Sequence, residues 1–170
     1  MFQDALCRVR ELSHLAVHGL SQQQLAFVPD AGANSIAWLI WHLTRVEDHD
    51  LLARLSGRQV WDPSWSVRLD LDHDPTGVGR NVEPADVARV GRVSAAALLE
   101  YHDAVSTRVC EEFRARSDAG WQEVIDETID PPVTARVRAV SVVSDGLQHV
   151  GQAMYLRGLL LRREGRAFRW

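Results

Sequence analysis

The stretch SVVSDGLQHVGQAMYLRGLL, residues 141–160, is apolar enough to be buried yet carries Asp145 and His149 at its middle. At about 3.6 residues per turn, a spacing of four sets both side chains on one face of a helix. A carboxylate and an imidazole held this way can bind one divalent cation, or can simply hydrogen-bond each other. The Asp-x-x-x-His spacing does not choose between these by itself. The choice turns on a third donor elsewhere and on the helical assembly around the pair.

The helix carrying that stretch is expected from about 137 to 164, stopped by Gly165. Working outward from it, 117–120 reads as a turn, and 121–129 with 133–137 as the arms of a small hairpin around Pro131-Pro132. Pro84 fits the first turn of a helix running to about 116, with an interruption at Gly91. Residues 58–83 show no sustained period but hold Trp61, Pro63, Trp65, Pro75, Gly77 and Gly79, a composition expected of a connection packed back onto the core. Asn34 is the expected N-cap of a helix continuing to about 55, with Gly57 as its stop. On that helix Trp38, Leu39, His42, Val46, His49 and Ala53 share one stripe, which places His42 on a face that should be buried. A first amphipathic helix covers about 2–19; Ser21 and Gln24 form a capping box, and residues 29–33 break the chain. Four helices with short extras predict an all-α four-helix bundle in one domain, 1–170, with a long Trp-containing connection between helices 2 and 3.

The length of 170 residues suffices for a sizeable core. A net charge of −4 with no basic block counts against a nucleic-acid binder. All 19 positive side chains are Arg, which looks like coding bias rather than chemistry. Cys7 and Cys110 lie far apart in sequence, each in a helical pattern, and read as small buried fillers in a reducing cytoplasm. The charged, amphipathic start is not a signal peptide, and no apolar run is long enough to span a membrane.

A bundle can bring His42 on the second helix opposite Asp145 and His149 on the fourth. Two imidazoles and a carboxylate suit Zn²⁺, Ni²⁺, Fe²⁺ or Mn²⁺ and leave coordination positions open. An Asp145–His149 ion pair with a separately satisfied His42 accounts for the same residues without a metal. Of the other polar residues near these stripes, His49 lies roughly 10 Å from His42 along the helix. Glu47 and Asp48 read as solvated charges or as acceptors for an imidazole N–H. Tyr155 and Arg157 are expected to face a neighbouring helix or solvent. His14, His18, His73 and His102 have no matching partners.

The segments NSIAWLIWHLTRVE (34–47) and GLQHVGQA (146–153) resemble the two signature helices of the DinB-like (DinB/YfiT) superfamily, which includes the N-terminal domain of mycothiol-dependent maleylpyruvate isomerase. The similarity spans nearly the whole chain in order. It implies a four-helix bundle holding a divalent metal, commonly zinc or nickel, at His42, Asp145 and His149. Many members have His at the position of Asp145, and the isomerase branch has an acidic residue. The isomerase's further C-terminal domain has no counterpart here, so its isomerase activity is not carried over.

The resemblance further implies transfer or addition chemistry with a low-molecular-weight thiol of the mycothiol or bacillithiol type, acting on a small-molecule substrate in the cytoplasm. Arg138, two turns before Asp145, and Gln152, one turn past His149, are the candidate cofactor-binding residues; no catalytic residue is assigned. Members of the family form two-fold dimers through helix faces, so a homodimer is expected. The alternative is a non-catalytic, metal-containing protein that binds a small ligand or serves a stress response.

Overall fold

The computed structural model describes residues 2–72, 74, 76–80 and 83–166. His73 and Pro75 of the long connection, and Trp170, lie outside them. The elements in order are α1 (Phe2–Val17), α2 (Gln22–Leu25), α3 (Ile36–Arg45), a π-helical segment (Val46–Leu52), α4 (Ala53–Ser56), α5 (Pro63–Leu69), α6 (Pro84–Val90), α7 (Ala95–Ala115), a 3₁₀ turn (Gly120–Gln122), β1 (Val124–Asp126), β2 (Val133–Thr134) and α8 (Ala135–Arg163). The bundle consists of α1, the continuous rod from α3 through α4, α7 and α8. Both α1 and α3 pack against both α7 and α8, so the four rods enclose one core.

The apolar periodicity accounts for that core. Leu6, Val9 and Ala16 of α1, Leu39, Ile40 and Leu43 of α3, Leu98, Val105 and Val109 of α7 and Val142, Val150 and Ala153 of α8 share this one core. Side-chain caps set the helix starts. Ser35, not Asn34, is the N-cap of α3, its hydroxyl accepting from Trp38 N at 3.2 Å. Ser94 and Thr134 do the same for α7 and α8. The expected capping box of Ser21 and Gln24 is present. Gly57, at φ 74°, ends α4 in the left-handed region that favours glycine. At the far end of α1, the buried Arg157 guanidinium donates to the Ala16 and His18 carbonyls, satisfying acceptors at a helix C-terminus.

The interruption expected at Gly91 divides the third helix in two: Gly91 ends α6 and the chain turns before Ser94 restarts it as α7. Two expectations are corrected. The connection 58–83 contains α5, started by Asp62, whose carboxylate accepts from Ser64 N and Trp65 N. The hairpin is smaller than expected, pairing Val124 with Thr134 and Asp126 with Val133 across an irregularity. Trp61 and Trp65 do fold back onto the bundle, packing edge-on and tilted against the buried ring of Tyr101.

Asp48 ties the connection down. Fully buried, it accepts from Val60 N (2.7 Å), Trp61 N (2.8 Å), Tyr101 Oη (2.7 Å) and Arg45 Nη1 (3.1 Å). Arg45 reaches on to the Gly77 carbonyl, while its guanidinium lies over the Trp61 ring. One buried ion pair thus anchors both the start and the later part of the loop.

Candidate metal centre

His42, Asp145 and His149 come together across α3 and α8, with one ligand atom of each lying within 4.8 Å of the others. His42 is buried; the other two are half-buried. Ligand bonds of about 2.1 Å place tetrahedral donors roughly 3.4 Å apart. The His149 Nε2 to Asp145 Oδ1 distance is already 3.4 Å. The remaining closure is about an ångström of side-chain adjustment.

Both imidazoles are oriented for this. His42 Nδ1 donates to the Val78 carbonyl, an acceptor only, which leaves Nε2 with its lone pair free. Trp38 stacks on the His42 ring at 4.6 Å between centroids and 8° between planes, and His149 meets it edge-on at 4.7 Å. His149 Nδ1 pairs with Gln152 Oε1 at 3.2 Å, again turning Nε2 toward the cluster. Gln152 therefore has the orienting role open to it from its position one turn on.

The donor states fit a cation. Burial, aided by the neighbouring His149, holds His42 below the usual imidazole range and so neutral. The Asp145 hydrogen bond, against the opposing effect of burial, raises His149, so a proton competes with a metal there. Asp145 Oδ2 is buried without a hydrogen-bond partner. An ion pair with His149 uses only one carboxylate oxygen and explains neither that orphan nor the free His42 Nε2. The three residues fit a divalent metal better than a bare pair.

Gly79 lets the loop approach. At φ 78°, a Cβ there would stand 2.7 Å from Trp41 Cζ3 and 3.3 Å from His42 Nδ1, so only glycine allows Val78 to offer its carbonyl to His42. Trp38, Trp41 and Gly79 also line a cavity of about 270 Å³, together with Trp61, Leu71 and Arg80 among others. Arg80 pairs with Asp50 and lies close enough to act on His42 electrostatically.

Glu47 and Asp48 are not the solvated charges expected of a helix surface: both are buried. They lie in the π-helical segment, whose wider turn rotates fewer degrees per residue and so shifts which side chains face inward relative to an α-helix. Desolvation pushes Glu47 up to about 8, against the pull of a hydrogen bond from Ser106, with Asp48 and Asp145 adding to the rise. The same phase change removes His49 from the cluster; it pairs with Asp50 at 2.7 Å. No residue pattern on this helix marks the π segment.

Arg138 donates to Asp126 Oδ2 at 2.8 Å, joining α8 to the hairpin. His14 bonds Asp103, and His102 is buried against Thr44. Among the described residues, no helix is long and apolar enough to cross a membrane.

Residues 5–153 match the family model of the DinB superfamily. A solved structure, a conserved protein from Enterococcus faecalis, is similar over 95% of this chain and 95% of that one, with a TM-score of 0.81 and 25% identity. No curated protein matches significantly. With most of its length matched and the His–Asp–His cluster in place, the chain belongs to the DinB superfamily, which includes metal-binding members.

Proposed function

We propose that the protein is a divalent-metal-dependent cytoplasmic enzyme that uses a low-molecular-weight thiol, of the mycothiol or bacillithiol type, in a transfer or addition reaction. The observation that carries this reading is the convergence of two Nε2 atoms turned into one cluster and an unpartnered carboxylate oxygen, beside an aromatic-walled cavity. Zinc or nickel suits the two imidazoles best, and iron or manganese is compatible with the carboxylate. When bound, the ion would favour thiolate over thiol at neutral pH.

The chain's own residues do the rest. Val78 and Gln152 hold the two imidazoles in their ligating tautomers. Trp38, Trp41 and Trp61 give an apolar wall for an electrophile and exclude water from it. Arg80, at the junction of cavity and cluster, orients an acidic group of either substrate. Arg138, paired with Asp126 as Arg80 is with Asp50, is the second candidate for that orienting role. The nucleophilic sulfur comes from the cosubstrate, since Cys7 and Cys110 line a separate groove.

The test is conjugation of a model electrophile, such as a chlorinated aromatic, with a panel of small thiols, using protein purified without an affinity tag and analysed for metal. We expect about one ion per chain. Activity should be lost with the metal in His42→Ala and kept in a Cys7→Ser, Cys110→Ser double variant. Metal-loaded protein no faster than background with every thiol would favour the non-catalytic binding reading. Unchanged metal content in His42→Ala would remove the site assignment itself.

A further inference from the structure

We propose that Cys7 and Cys110 form a redox-active dithiol that hydroperoxides oxidise to an intrachain disulfide, tying α1 to α7. The two residues are far apart in sequence, yet α1 and α7 pack side by side and bring both thiols into one groove, with Arg10, Ser106, Thr107 and Arg114. Their antiparallel register is pinned on either side. Toward one end, the Gln3 amide, its oxygen turned to Arg114, accepts from Arg114 Nε and Nη2 at 3.0 and 2.9 Å. Toward the other, His14 Nε2 meets Asp103 Oδ1 at 2.8 Å and Arg10 Nε meets the same oxygen at 2.7 Å. Cys7 opposite Cys110 falls on the register set by the pairs 3–114 and 14–103. The two thiols are close enough to act on each other electrostatically.

Neither cysteine is the buried filler that its helical pattern suggested. Cys7 is exposed and Cys110 is partly so. Arg10 and Arg114 add positive charge to the groove, the setting in which thiols react. The accessible Cys7 is the attacking sulfur. Burial raises Cys110, which suits it to wait as the thiol that resolves the first product.

The steps balance. The Cys7 thiolate attacks one oxygen of the peroxide and the O–O bond breaks. Alcohol, or water from hydrogen peroxide, leaves with a proton, and Cys7 becomes a sulfenic acid. The Cys110 sulfur then attacks the Cys7 sulfur, the S–O bond breaks, and the departing hydroxide leaves as water with the Cys110 proton. Two thiols lose two electrons and two protons, and one hydroperoxide is reduced to an alcohol and water.

The experiment treats the reduced full-length chain with hydrogen peroxide, quenches by alkylation under denaturing conditions, and reads intact and peptide masses. The expected product is a monomer lighter by two hydrogens, with no alkylated thiol, a Cys7–Cys110 linked peptide, and full reversal by reductant. Chains carrying added oxygen at either cysteine without a cross-link would overturn the proposal, as would cross-links only between chains. Cys110→Ser should strand Cys7 as a sulfenic acid trapped by dimedone; no adduct at Cys7 counts against the proposal. Intrachain cross-linking should slow at least tenfold in urea-unfolded protein, and an equal rate there would show that the fold does not preposition the pair.

Discussion

His102 is buried with one of its ring nitrogens, Nε2, left without a partner. Thr44 spends its hydroxyl proton on the Ile40 carbonyl, so it accepts from His102 Nδ1, which fixes the tautomer with Nε2 bare. Protonation at Nε2 would create an unpaired charge in the core. Desolvation accordingly lowers this imidazole to about 4, from about 6.5 when unfolded. Between those values the unfolded chain binds a proton that the folded chain refuses. The contribution is therefore full above pH 6.5 and is lost as pH falls toward 4, by an amount on the order of 3 kcal/mol. His102→Asn keeps an N–H for Thr44 but leaves a gap, and should be less stable at pH 7. That deficit should shrink as urea unfolding is repeated at pH 5.5 and 4.5; a deficit independent of pH would refute the account. The same scale separates what could be read in the candidate metal site from what could not. The convergence of His42, Asp145 and His149 is legible because helical spacing puts His42 on a buried stripe and Asp145 and His149 on one face, and the family resemblance pairs those positions. The Val78 carbonyl, the Gly79 approach and the buried Glu47 depend on a loop path and a π turn that no local periodicity encodes.

A metal at His42, Asp145 and His149 would join α3 to α8, the two rods that meet most directly at the cluster. The unfolded chain holds these ligands apart, so a bound ion stabilises the folded state by an amount that grows with free metal. At a hundredfold excess over Kd this is about 2.7 kcal/mol, worth roughly 5–10 °C of melting temperature for a chain of this size. A chelator should remove the gain, and His149→Ala should melt identically with and without chelator. Matching curves for metal-loaded and chelated wild type would return the cluster to an ion pair. At this scale most of the fold was readable. Apolar stripes at helical spacing gave all four rods, and Ser21, Gly57, Gly91 and Gly165 punctuated them as expected. The short α5 was missed because seven residues, Pro63–Leu69, give too few turns for a period to emerge against Trp and Pro. Ser35 displaced Asn34 as the cap by one position, within the ordinary fraying of a boundary.

Among the described residues, the outer face of α8 leaves several large apolar side chains exposed. Val137, 55% exposed, Val140, Leu147 and Tyr155, 66% exposed, fall within one narrow arc of the helix, with Ser144 and Gly151 between them. In a two-fold antiparallel pairing of α8 with a second copy, Val140 would oppose Gly151 and Ser144 would oppose Leu147, with Val137 and Tyr155 near one another at the ends of the seam. Each bulky side chain then faces a small or complementary one, and Gly151 has open space around the position of a Cβ. An isologous interface requires this self-complementarity of one patch. We therefore propose a homodimer at micromolar concentration through this face, as the family resemblance implies. Light scattering should give twice the chain mass for the wild type. Leu147→Glu, which places two carboxylates in the apolar seam while leaving the core untouched, should give the monomer with an unchanged circular dichroism spectrum. A wild-type monomer at that concentration would end the idea, and a Leu147→Glu dimer would move the interface to another face.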